Sequence, residues 1–200
     1  MINRRPQKNT QSGFTIIETL VAIFILLISI TGPLSFAQSG LRASFVARDQ
    51  VVAFYLAQDA IETIKNIRDN NSLDGQDWLT DLETAGCVSV NADGELNQPC
   101  EIETIFENGP RQTLQACPGG NPGVCNPMKY DTEFKEYRLS NDISTSIVPS
   151  KFSRTVYVHE LTDNEVQIIV FVSWDTVFFA DRRIVVQENI YNWVPIYTSN

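Results

Sequence analysis

Glu18 is the residue whose chemistry stands out first, a carboxylate set only five residues into the apolar run from Phe14 to Ala37. An acid inside a membrane helix costs about 2.5–3.5 kcal/mol on insertion scales, and such groups mark a partner or a function. Ser12-Gly13-Phe14-Thr15 stands at the start of the same run. Cleavage there would remove a short leader and leave nearly all of the hydrophobic segment on the protein, whereas an ordinary signal peptidase cuts after the apolar region. The other reactive candidates are Cys87, Cys100, Cys117 and Cys125, grouped in the polar middle of the chain. An even count in an exported chain predicts two disulfides, in any of three connectivities, with the neighbour pairs Cys87–Cys100 and Cys117–Cys125 the simplest. A zinc site is the rival, although C-x12-C and C-x7-C lack the close pairs of most structural zinc sites.

The element that must carry Glu18 is a helix. At about 1.5 Å per residue, Phe14–Ala37 could cross a hydrocarbon core of roughly 30 Å. Arg4, Arg5 and Lys8 precede it, so the positive-inside rule places the N-terminus in the cytoplasm and the remainder outside. Two plainer readings compete: an uncleaved single-pass anchor, and a secretory signal cut near the small-x-small pattern Ser35-Phe36-Ala37.

The stretch Gly13-Phe14-Thr15-Ile16-Ile17-Glu18-Thr19-Leu20-Val21-Ala22 resembles the cleavage and methylation motif of type IV prepilins and type II secretion pseudopilins. The resemblance implies that a prepilin peptidase cuts after Gly13 and methylates the new amine of Phe14. It also makes Glu18 the assembly glutamate. An α-amine on Phe14 stays protonated near neutral pH. In a filament, the amine of one subunit and Glu18 of a neighbour would neutralise each other among apolar helices. An unpaired charge there would cost several kcal/mol, so the pair penalises wrong register more than it stabilises. The partners implied are the peptidase, other pilins or pseudopilins, the inner-membrane assembly platform and membrane lipid. The location implied is the inner membrane, single-pass, and then a periplasmic or cell-surface filament.

Gly32-Pro33 interrupts the apolar helix, and proline there removes a backbone hydrogen bond and predicts a kink. Pilins often carry a proline at this depth, and the resemblance implies local unfolding during assembly; a tolerated membrane-helix kink is the alternative. Beyond it Leu41, Phe45, Val52, Leu56, Ala60, Ile64 and Ile67 recur at helical steps, and the pattern stops at Asp69-Asn70-Asn71-Ser72. A helix over 14–68 would be about 80 Å long. Its first half is expected in the membrane or filament core, its second against the globular part. Tyr55-Leu56-Ala57-Gln58-Asp59-Ala60-Ile61-Glu62 is also similar to the pilin helix.

The chain thus divides into a basic leader over 1–13, a hydrophobic helix over 14–37, an amphipathic continuation over 38–69, an irregular disulfide-stapled region over 70–141, and antiparallel sheet over 142–200. The middle is expected to hold a short helix near Trp78–Leu82, short strands near Ile102–Phe106 and Tyr137–Leu139, and a loop at Pro118–Gly123. At the end, Val156 and Val158 alternate with polar neighbours, 166–172 is apolar and β-branched, and Ile184 opens a third strand reaching Tyr191. The turn between the first two falls at Thr162-Asp163-Asn164, and a longer connection spans 175–182. The fold class is α+β, with a long N-terminal helix packed on a C-terminal antiparallel sheet. The segment 186–193 is similar to the last strand of minor pilins. No cysteine follows Cys125, whereas many major pilins close a C-terminal loop by a disulfide, and that departure favours a minor pilin or pseudopilin.

Composition narrows the rest. Net charge is −9, from 15 basic and 24 acidic residues; losing Arg4, Arg5 and Lys8 leaves 12 against 24, or −12. Nucleic acid is not an expected partner, because binding it needs Lys and Arg to displace counterions. His159, the single histidine, reads as a strand or surface residue. Asn70-x-Ser72-x-Asp74-Gly75 imitates a calcium loop without its leading aspartate and final glutamate, and reads as a solvated turn. No Walker loop, dinucleotide fingerprint or G-x-S-x-G elbow occurs, so no catalytic residue, cofactor or metal is expected. The expectation is a structural filament subunit; the alternative is an exported binding module on an uncleaved single-pass anchor.

Overall fold

The computed structural model describes residues 13, 15–89, 98–105, 111–118, 125–139, 145–176 and 181–193. Residues 1–12 of the leader, the expected new N-terminus Phe14, and most of the Pro118–Gly123 loop lie outside them. The chain forms two compact units, Met1–Ala47 and Arg48–Asn200, and one helix, α1 (Ile16–Leu73), supplies residues to both.

In the second unit the buried side of α1 is Ala53, Leu56, Ala57, Ala60, Ile61 and Ile64. Their alternating three- and one-residue steps make a narrow stripe, and three alanines let the helix backbone come close to its neighbour. That neighbour is a sheet whose facing residues are Phe152, Val156, Val158, Val166, Ile168, Val170, Val172 and Ile190, all buried with the helix stripe in one core. Val52 and Ile67 pack at its margin. Leu41 and Phe45, expected to continue the stripe, are 62% and 60% exposed.

The helix outruns its expected end by five residues. Asn70, Asn71 and Ser72 are turn formers, yet the stop comes at Gly75, whose φ of 72° takes the left-handed cap that other residues adopt at a cost. Gln76 N–H donates to the Asn71 carbonyl at 2.9 Å and Gly75 N–H to that of Ser72 at 3.3 Å, closing a Schellman cap. Asn71 is buried and donates from Nδ2 to the Trp78 carbonyl at 3.2 Å. The segment that imitates a calcium loop is therefore helix end and cap. A short helix follows, α2 (Thr80–Thr84), with Leu82 fully buried.

Among the described residues the sheet has eight strands: β1 (Val88–Ser89), β2 (Cys100–Ile105), β3 (Arg111–Ala116), β4 (Pro127–Asp131), β5 (Glu136–Arg138), β6 (Ile147–Thr162), β7 (Glu165–Trp174) and β8 (Arg182–Tyr191). β6 organises it. Along one edge it pairs with β7, which pairs in turn with β8, giving the expected meander with a tight turn at Asp163-Asn164. Its other edge is shared successively by β4, β2 and, in parallel, β1. β2–β3 and β4–β5 are antiparallel hairpins attached to that edge. The region 70–141 is thus not a separate irregular segment but contributes five strands to the same sheet as 142–200.

Candidate assembly site

In the first unit α1 begins one residue after Thr15, whose Oγ1 accepts from Glu18 N–H at 3.4 Å. Thr15-x-x-Glu18 has the spacing of a capping box, and the acid also complements the positive helix end. The T-x-x-E spacing is legible in the sequence, but only its Thr15 half is formed among the described residues, the bond coming from the Glu18 backbone and not from its carboxylate.

Hydroxyls in this stretch are turned back on their own helix. Thr19 donates to the Ile16 carbonyl at 2.8 Å, Ser29 to Leu26 at 2.8 Å, Thr31 to Ile28 at 3.3 Å and Ser39 to Ser35 at 3.0 Å. A polar group in lipid must find such an internal partner. Glu18, the only ionisable side chain from Phe14 to Leu41, is exposed, as is Gly13. The large apolar side chains beside it are exposed too: Ile16 86%, Leu27 55% and Phe36 80%. α1 runs as helix through Gly32 and Pro33. It is long and apolar enough to cross a membrane.

The expected cysteines lie in the second unit and form two disulfides between sequence neighbours, Cys87–Cys100 and Cys117–Cys125, with Cα separations of 5.8 and 4.7 Å. All four are buried. Next to the second lies Glu101, 2% exposed, which sequence reasoning did not single out. Its carboxylate accepts from Asn126 N–H at 2.7 Å, Asn126 Nδ2 at 2.9 Å and Gln115 Nε2 at 3.0 Å. Glu101 with Cys117 and Cys125 has the closeness of a metal triad, but the sulfurs are spent on each other and the carboxylate on amides. It is a clamp at the base of the disulfide loop.

Two further charged pairs have no sequence signature. Arg154 on β6 is buried and donates to Asp59 Oδ2 at 2.6 Å and to the Leu56 carbonyl at 3.0 Å, fixing the sheet to the helix. Burial lowers the Arg154 pKa, with Asp59 opposing. On the β4–β5 hairpin, Arg138 pairs with buried Asp131. Burial alone would raise the Asp131 pKa, but the amides of Glu133 and Phe134, Arg138 and Ser146 together lower it. His159 sits on β6 opposite Gln167, nine-tenths buried, with no partner for Nδ1 among the described residues.

A long N-terminal helix with an antiparallel sheet is the α+β arrangement of the pilin-like fold. The family model that matches is the prokaryotic N-terminal methylation motif, over residues 8–32. The chain therefore carries the prepilin-type motif at the position of Gly13, Phe14 and Glu18. No curated protein and no solved structure gives a significant match to the chain.

Proposed function

We propose that the chain is a structural subunit, a minor pilin or pseudopilin, of a type IV pilus or type II secretion-like filament. Prepilin peptidase removes residues 1–13 and methylates Phe14. The subunit waits in the inner membrane with its N-terminus inward, and the assembly platform then builds it into a filament through its N-terminal helix. There Glu18 meets the Phe14 amine of a neighbour, and Gly32-Pro33 loosens the helix enough to pack. The observation that carries the reading is the methylation motif heading a helix whose large apolar side chains from Ile16 to Phe36 are exposed among the described residues. The four inward-bonded hydroxyls support it, since they leave Glu18 as the one charged group of this stretch, without a side-chain partner among the described residues.

N-terminal sequencing and intact mass of the membrane-extracted protein test the processing step. A chain beginning with N-methyl Phe14 is expected. One beginning at Met1 overturns the reading in favour of a single-pass anchored binding module, and one beginning at Gln38 in favour of a secreted domain.

A further inference from the structure

Within the second unit, an open groove of about 580 Å³ lies between α1 and the strands β3 and β5. That is within the roughly 300–1,000 Å³ of small-ligand sites. One wall is a polar stripe of α1, Asp59, Thr63, Asn66 and Asn70, whose four- and three-residue steps put them on one face. Arg111 and Gln112 of β3 and Glu136 and Tyr137 of β5 stand opposite. Tyr55, 65% exposed, offers a ring face at the rim.

The charges lining the groove are answered within the chain: Asp59 by Arg154 at 2.6 Å, Asp81 by Arg111 at 3.7 Å, and Glu136 by Arg138 at 3.8 Å, itself paired with Asp131. An anionic ligand would find no uncommitted cation to hold it. An amphipathic helix would need an apolar trough, and the groove has only Leu56 and Ile67 of that kind. What it presents is uncharged hydrogen-bonding capacity. Thr63 Oγ1 lies 2.5 Å from Gln112 Oε1, while the exposed amides of Asn66 and Asn70 make no side-chain hydrogen bond among the described residues. Each carboxamide supplies two donors and an acceptor oxygen in one plane. Paired donors and acceptors match adjacent hydroxyls on one sugar ring, and Tyr55, about 16 Å from Asn66 along α1, offers its face to the C–H side of another ring of the same oligosaccharide. We propose that this groove binds a neutral oligosaccharide.

The site stands apart from the helix residues used for assembly, so it survives or fails independently of the filament reading. The test uses the full chain in a detergent without a sugar headgroup, titrated with maltotriose, cellotriose, chitotriose and mannotriose, and with one acidic and one basic peptide. Saturation-transfer NMR and calorimetry read the binding. At least one saccharide is expected to bind, and Asn66→Ala with Asn70→Ala, or Tyr55→Ala alone, should weaken it by about tenfold or more. The thermal melt should stay unchanged, because these side chains are exposed. No saccharide binding up to about 10 mM, binding indifferent to these substitutions, or binding of a peptide alone would overturn the proposal.

Discussion

Ile16–Phe45 and Ala53–Ile64 are stretches of the same helix, and they solve the burial problem in opposite ways. The second is amphipathic, and its apolar stripe is covered by strands of its own chain. The first is apolar nearly all round as far as Ala37, with Glu18 its one charge there, and its large side chains stay exposed. Fully burying a Leu, Ile or Phe side chain is worth about 1.5–3 kcal/mol. A run of such residues without cover implies a solvent other than water, a bilayer or a bundle of like helices. The two acids repeat the contrast. Asp59 has its cation in the chain, while Glu18 has none among the described residues. On the proposed reading Glu18→Ala should leave cleavage intact and lower incorporation into filaments by about tenfold or more, as expected when a charge is left unpaired. Quantitative blotting of sheared filaments against the membrane pool measures it. Undiminished incorporation would mean that Glu18 serves only its own helix, as a negative charge at the positive end of the dipole.

The second stretch can be broken from inside. Asp59→Ala leaves Arg154 buried with only the Leu56 carbonyl, and should cost about 3–5 kcal/mol in denaturant unfolding. Arg154→Met leaves Asp59, which is nearly half exposed, able to hydrate, and should be close to neutral. Equal costs would show that the pair is ordinary packing and not a charge held by the helix. Replacing Cys87 and Cys100 with serine should cost less, about 2–3 kcal/mol, since the loop they close is short. A larger loss would show that the bond also orders the β2 edge where Cys100 pairs with Val156.

What the sequence made legible follows the same divide. The methylation motif, the apolar helix and the β6–β8 meander are written in contiguous residues with a clear period. The middle strands are not. β2 buries Glu101 and Thr104 beside Ile102, so its alternation is masked by polar groups satisfied through contacts distant in sequence. β3 buries Leu114 alone, and β1 is two residues long. β6 starts earlier than its valines suggest because Pro149 reads as a strand breaker. It is tolerated where β6 pairs with β4 and β7 has not yet joined, at an edge. The helix end is not legible because a cluster of turn formers outweighs one glycine three residues further on, and it is the glycine that holds the left-handed cap.

The smallest expected effect concerns two carboxylates of the second unit whose environments pull in opposite directions. Asp131 has a lowered pKa, so its stabilisation is present above the unfolded carboxylate range and is lost as pH falls through the folded value. Glu160 has a raised pKa, from burial first and then from Glu83, Asp163 and Asp77. The folded state holds that proton more tightly than the unfolded chain does. Its contribution is therefore complete below the unfolded value and disappears as pH rises through the folded one. At neutral pH the ionised Glu160 is a mild burden, and Glu160→Gln should raise the melting midpoint slightly. Below about pH 4, where an unfolded glutamate is itself protonated, parent and variant should melt together. Melting curves of both proteins from acid to neutral pH would show it: a gap that persists at low pH would assign the effect to packing, and one of reversed sign at neutral pH would mean that Glu160 is held by a cation and not crowded by acids.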